Sequence, residues 1–387
     1  MNNNEFQDLL DGCVEFTQRL IRTPSMPGEE GNLAAMVIDE MQKLDFDSAT
    51  KDDLGNVTGR IQGAYRDLGA IVLNSHLDHV DPGEEALWSV PPYSATIAGN
   101  YILGRGACDI KGPLAVQIYS MAALKRMKQV PQRDIVFSGV VEEEVGGAGA
   151  TFWAENVDFP VDLIVLGEPS SNNLSLGHRG ILQMWVTFLG RSVHASVPEN
   201  GVNPNYALVE FLNKLRYKTE SLGGHDQLGK TTVTPTIIEV DTLSMNVTPA
   251  WTRVLLDFRT ASESPNSLTR FVGDIARGLK FQVSDAWARQ PGTPLPDSEE
   301  KIYGYFTPAS DESVIRMREL VTKGMGWEPE LINYKFATDG RHLLSLGAPI
   351  IGFSPGEGHL AHTVKEKIAI SMMADSLKGH IALLSEF

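Results

Sequence analysis

Apolar residues recur at helical spacing over about 5–21 and again over 31–44, on either side of the breaker RTPSMPGEEG. NVTGRIQG and then the apolar run AIVLN at 70–74 read as strand, followed by a helix over about 112–127 and the strands DIVFSGVV at 134–141 and DLIVLGEP at 162–169. Strands separated by helices predict a largely parallel sheet covered on both faces. Near 180 the pattern changes. ILQMWVTFLG alternates like a half-exposed strand, and a helix at 203–217, the strands TTVTPTIIEV and TRVLLDFR and a helix over about 266–279 follow. That order predicts a small antiparallel sheet with helices on one face, a βαββαβ, ferredoxin-like unit. The acidic, proline-bearing PGTPLPDSEEK at 291–301 reads as the way back, and from about 308 the α/β pattern resumes with a helix at 311–325 and the strand APIIGF at 348–353. The expectation is an α/β protein with one domain at 1–179 and 300–387 and an α+β domain inserted at 180–299. No internal repeat or low-complexity segment interrupts it.

Composition narrows the class. A chain of 387 residues exceeds the size at which one core keeps growing, which also favours two domains. Hydrophobic content of 42% with 21% charged residues is that of an ordinary globular protein. A formal charge of −16 argues against nucleic acid or an anionic membrane as partner, since either calls for a basic patch. MNNNEFQDLLDG lacks the basic and apolar regions of a secretory signal, and no apolar run has the length of a membrane span. Two cysteines, Cys13 and Cys108, exclude a disulfide framework and a multi-cysteine zinc site. A cytoplasmic, reducing setting is expected, and any metal must be held by histidines and carboxylates.

Such residues gather where the predicted strands end. SHLDHVDPG at 75–83 puts His76 and Asp78 directly after AIVLN, on the edge where open α/β sheets bind ligands. Asp109 sits in the glycine-rich GRGACDIKG before a helix, Glu142, Glu143 and Glu144 follow FSGVV, Glu168 closes VLGEP, and His362 lies in GEGHLAHTVKE after APIIGF. Taken singly, the triple glutamate reads as a solvated loop, Asp109 as a helix N-cap and Glu168 as a turn residue. The glycines of VGGAGA suggest a dinucleotide loop, but the G-x-G-x-x-G pattern fails at Phe152. HExxH is absent from the sequence. Converging on one edge, the histidines and carboxylates suit zinc, cobalt or manganese, and they are numerous enough to hold two divalent ions through a shared carboxylate.

SHLDHV, GRGACDIKG, the Glu-Glu-x-Gly run, GEPS and LAHTVKE resemble, in order, the motifs of the co-catalytic zinc amidohydrolases that include acetylornithine deacetylase, succinyl-diaminopimelate desuccinylase, aminoacylase and glutamate carboxypeptidase. The resemblance covers nearly the whole chain. It implies a catalytic α/β domain with an inserted lid or dimerisation domain, a homodimer, and two divalent ions, zinc first, with cobalt or manganese as alternatives. It makes His76 a ligand of one metal, Asp109 the bridge, Glu168 the completing ligand of the first metal, and Glu144 and His362 the ligands of the second. Glu143 becomes the general base, Asp78 the residue orienting His76, and His194 in GRSVHASVPENGVNP the lid histidine that stabilises the oxyanion, reaching across from the partner subunit in dimeric relatives. The pair is set on Glu143–Glu144 because Val145 and Gly146 then match the family's x-Gly, leaving Glu142 where relatives often carry aspartate.

Asn246 in SMNVTPA, Arg259 in LLDFRT and Arg341 in ATDGRH resemble positions that hold a substrate carboxylate. A surface salt bridge is the other reading of Arg259, and a surface loop that of His194 taken alone. The sequence departs from the family at Lys365, at Pro113 after Gly112 and at His79; His359 is given no ligand role, and Cys108 reads as a small buried thiol. The expected function is metal-dependent hydrolysis of the amide of an N-acyl amino acid, a small-molecule substrate, by a metal-activated water. An exopeptidase of the same family is the alternative, and a non-hydrolytic binding homologue the more distant one.

Overall fold

The strand Ala70–His76 is buried at all seven positions in the computed structural model, which describes residues 1–387 apart from Arg66, Arg289, Glu300 and Lys301. It lies between two parallel neighbours, Ile135–Val140 and Val161–Leu166, with His76 opposite Val140 and Asn74 opposite Leu166. An apolar run with both faces covered is what the interior of a parallel sheet requires. Among the described residues this sheet has eight strands, in the order Ser48–Lys51, Val57–Ile61, Ile135–Val140, Ala70–His76, Val161–Leu166, Ile350–Gly352, Leu174–Ser175, Leu331–Ile332. It is mixed: Val57–Ile61 runs antiparallel to Ile135–Val140, and Ile350–Gly352 parallel to Val161–Leu166.

Helices cover this sheet. Asn3–Ile21 starts with a capping box between Asn2 and Glu5 and turns Leu9, Cys13, Phe16 and Leu20 into the core. Gly112–Arg126 is buried at every position from Gly112 to Leu124, so it carries apolar residues all round, as a helix enclosed on every side must. Glu312–Met325 is capped by Asp311 and stopped by Gly326 at φ +83°. Two features escaped the periodicity: the terminal helix Ile370–Glu386, and a small sheet in which Tyr101–Leu103 pairs antiparallel with both Thr96–Ala98 and Lys367–Ala369.

The chain divides into two compact units: Met1–Gly177 with Tyr305–Tyr334 and Thr338–Phe387, and His178–Gly304 with Lys335–Ala337. In the second, Gly177–Leu189, Pro204–Lys218, Thr232–Val240, Trp251–Thr260, Pro265–Ile275 and Phe281–Asp285 follow in the order βαββαβ. The strands pair antiparallel, the second next to the third, the third next to the first and the first next to the fourth, which is the ferredoxin-like arrangement. Leu182, Met184, Val186 and Phe188 face the helix residues Phe211, Leu215, Leu268 and Val272 in a core of their own. Of the returning stretch at 291–301, Glu300 and Lys301 lie outside the described residues.

Candidate metal centre

The C-terminal ends of the parallel strands bring the titratable residues into one pocket of the first unit. Asp109 is its middle: Oδ1 lies 3.1 Å from His76 Nε2, and Oδ2 lies 3.2 Å from His362 Nε2. His362 Nε2 is also 3.1 Å from Glu144 Oε1, and Glu168 Oε1 is 3.9 Å from His76 Nε2. Ligand atoms of His76, Asp109 and Glu144 all lie within 4.8 Å of one another. The second ring nitrogen of His76, Nδ1, faces Asp78, 3.1 Å from its carbonyl oxygen and 3.3 Å from Oδ1. A proton held there leaves Nε2 free to bind a cation.

Neighbouring loops fix these side chains through their backbones. Asp78 accepts the N–H groups of Glu143 and Glu144, and Glu30 accepts that of Glu142. Glu142 and His362 adopt left-handed φ values of 58° and 61°, uncommon for residues other than glycine. Such strain persists only where the surroundings over-determine it. The Glu168 carbonyl accepts from the hydroxyls of Tyr334 and Ser354. Behind the Asp109 loop, buried Lys111 donates to the Thr23 carbonyl at 2.7 Å, and His79 Nε2 accepts from the N–H of Ser25 at 3.0 Å. The breaker between the first two helices is thus tied to the loops of His76, Asp109 and the glutamates. Periodicity cannot show this, because Ser25 and Glu30 lie in a loop; a lysine between apolar CDI and GPLAV was the signal available for Lys111.

Electrostatics set the pocket apart. Burial, then the charge of Asp339, then that of Glu168 push the Glu143 carboxyl well above its usual range, and burial with the charge of Asp109 does the same to Glu168. Asp339, 3% exposed and without a hydrogen bond to either oxygen among the described residues, is pushed up to about 7 by burial. Burial acts against ionisation of Asp109 as well, but hydrogen bonds from His362 and His76 outweigh it and hold the group well below its usual range. Those bonds to Asp109 and Glu144 raise His362 to about 10, and partners at Asp109 and Asp78 overcome burial to raise His76. Among the described residues no lysine or arginine forms an ion pair with Asp109, Glu143, Glu144 or Glu168. Crowded carboxylates whose ion pairs, among the described residues, are with histidine fit divalent cations, which relieve the repulsion directly.

The remaining candidates fall in different settings. In the second unit the structure brings His194 and Asn246 together, with Asn246 Nδ2 at 3.4 Å from His194 Nε2 and Val247 bridging His194 through the backbone. His194 Nδ1 is 2.7 Å from Ser196 Oγ. Arg259 is paired with Asp257 at 2.7 Å, and the other oxygen of Asp257 accepts from Gln183 at 2.6 Å. In the first unit Arg341 donates to His342 Nε2 at 2.9 Å and reaches the Gly146 carbonyl at 3.5 Å. His359 is exposed, whereas Cys108 and His79 are buried.

A family model described as peptidase family M20/M25/M40 matches residues 72–386. This chain belongs to peptidase family M20/M25/M40. Its M20 relatives include the succinyl-diaminopimelate desuccinylase of Hydrogenovibrio crunogenus, 28% identical over 377 residues that cover 92% of this chain and 94% of that protein. Among solved structures, the M20 family metallo-carboxypeptidase Sso-CP2 of Sulfolobus solfataricus superposes with a TM-score of 0.76 at 17% identity, covering 100% of this chain and 99% of that one. The Bacillus subtilis protein YXEP, described as a dinuclear metal binding peptidase of the M20 family, superposes with a TM-score of 0.69 at 14% identity, covering 98% and 100%. As an M20 member the chain is an enzyme that hydrolyses amide bonds. The His76, Asp109 and Glu144 group is one that could hold a metal ion. The family is the one that the five ordered motifs resemble.

Proposed function

We propose that this M20 enzyme is a two-metal deacylase that cleaves the amide bond of an N-acyl amino acid. The observation that carries the reading is Asp109, whose two carboxylate oxygens face two different histidines at 3.1 and 3.2 Å. His76, Asp109 and Glu168 would hold one ion and His362, Asp109 and Glu144 the other, with zinc as the proposed metal and cobalt or manganese as substitutes. Bound there, divalent ions supply Lewis acidity to the scissile carbonyl and to the attacking water.

The rest of the chemistry belongs to the chain. Glu143, whose backbone N–H is held by Asp78, takes the proton of the attacking water as the C–O bond forms. It returns that proton to the amide nitrogen as the C–N bond breaks, releasing an acid and an amine. His194 is the proposed donor to the oxyanion, with its ring held by Asn246. Asn246, Arg259 and Arg341 are the proposed grip on a substrate carboxylate, and for Arg259 the substrate must then compete with or join Asp257. Residues 180–299 would serve as lid and dimerisation domain. The kinship to a desuccinylase over 92% of the chain favours a deacylase.

Release of free amine is the direct test, using protein loaded with zinc or cobalt and a panel of N-acetyl and N-succinyl amino acids, dipeptides and glutamate-terminated amides. Turnover of the N-acyl amino acids, lowered roughly 100- to 10,000-fold by Glu143→Gln, is expected. Turnover confined to peptides would move the enzyme to the exopeptidases. No turnover with metal bound would leave a binding homologue.

A further inference from the structure

Two loops far apart in sequence meet behind Asp109. The strand Tyr101–Leu103 leads into the Asp109 loop, and its partner Lys367–Ala369 leads out of the His362 loop. Glu366 stands at that junction, 1% exposed, and its carbonyl accepts the N–H of Gly104 at 3.2 Å. Its carboxylate is spent on the Asp109 loop. Oε1 accepts the N–H groups of Cys108 at 3.1 Å and Asp109 at 3.2 Å, and Oε2 accepts from Arg105 Nη1 at 2.6 Å. Arg105, 2% exposed, lies over the Trp88 ring and also reaches the carbonyls of Thr363 and Asp81, both at 3.4 Å. The pair therefore touches the loops that carry His76, Asp109 and His362.

We infer that Glu366 is a positioning residue that holds the backbone of Asp109 and the His362 loop in one frame, so that both Asp109 oxygens meet their ligand partners. The inference rests on the two-metal reading above. A buried ion pair is a poor device for stability alone, because a well-packed apolar pair of similar volume is often as stable. What an apolar pair cannot do is accept the two N–H groups at Cys108 and Asp109. A carboxylate does so strongly and with direction. The side chain that faces both histidines starts from that anchored backbone, and residues supporting metal ligands in this way typically govern affinity 10- to 100-fold.

Three variants test it: Arg105→Met/Glu366→Met, which removes the grip and the charges together; Arg105→Gln/Glu366→Gln, which keeps an uncharged acceptor; and Glu366→Asp, which keeps the charge but shortens its reach. The readouts are melting of the protein stripped of metal, stepwise Co2+ affinity by calorimetry, and the electron paramagnetic signature of two coupled cobalt ions. The Met pair should still fold, melting lower for its two unpaired N–H groups, yet bind the second ion at least about tenfold more weakly and lose the coupled signature, while the Gln pair recovers both. Native affinity and coupling in the Met pair, or equal loss in the Met and Gln pairs, would overturn the inference. Should the Met pair fail to fold, Glu366→Asp decides, with the same loss expected and native affinity overturning it. Fewer than two ions on the wild type would instead overturn the two-metal reading, and the inference with it.

Discussion

The carboxylate of Asp78 grips the backbone of Glu143: Oδ1 accepts its N–H at 3.2 Å while Oδ2 accepts that of Glu144 at 3.0 Å. The same Oδ1 stands 3.3 Å from Nδ1 of His76. One buried acid therefore sets the proposed base, a proposed ligand on the next residue and the ring of a second ligand. Glu30 at Glu142 and Glu366 at Asp109 repeat the device. In each case a carboxylate from one loop accepts backbone N–H groups of another.

Asp78→Asn keeps the shape but leaves one oxygen to accept where two did, and turns an amide towards the other N–H. The expected outcome is a kcat lower by about 10- to 100-fold with the fold intact, measured by steady-state kinetics beside circular dichroism. A change of less than about twofold would remove Asp78 from the frame.

The sequence exposed the pocket because its parts are local: an apolar strand, then a histidine or an acid. His76, Glu144 and Glu168 are legible that way, Asp109 by its glycine-rich loop before a helix, and the inserted βαββαβ unit by the alternation of ILQMWVTFLG. The support behind the pocket was hidden for physical reasons. Glu366 and Arg105 are separated by 261 residues, and the strands that join their loops have three residues each, too few to show a period. The helix Ile370–Glu386 buries Ser376, Gly379 and His380 along with its leucines, which breaks its apolar stripe. The triple glutamate yields its register to sequence by motif alone. In space its members part company, Glu142 by its N–H to Glu30 and Glu144 by its side chain to His362.

Gly147 has a φ of +77°, and a Cβ there would lie 2.4 Å from His342 Nε2 and 2.7 Å from Asp339 Oδ1. His342 cannot step aside freely, because Arg341 and Thr151 hold its two nitrogens. Gly147→Ala should therefore lose about 2–4 kcal/mol, combining left-handed strain with overpacking. Gly28→Ala, at φ +83° with open space around it, should lose only the strain, about 1–2 kcal/mol. Urea titration of the two variants measures the difference; equal losses would show that the loop at 339–342 yields.

His380 is fully buried against Phe353, and burial lowers its pKa to about 4. Nδ1 donates to the Ser376 carbonyl at 2.9 Å. Unfolding restores an ordinary pKa of about 6.5, so between these values the unfolded chain binds more protons. Stability from this residue is complete above pH ~6.5 and is lost as pH falls towards 4, by about 2 kcal/mol at pH ~5. His380→Asn should flatten that part of the urea midpoint profile, whereas an unchanged slope between pH 7 and 5 would assign the acid sensitivity elsewhere.

The central claim is that Asp109 joins two metal ions, and anomalous diffraction at the zinc edge from zinc-loaded crystals tests it most directly. Two peaks about 3.5–4 Å apart are expected, one at each Asp109 oxygen, the first beside His76 and Glu168 and the second beside His362 and Glu144. A single peak at full zinc loading, or two peaks that do not share Asp109, would contradict it.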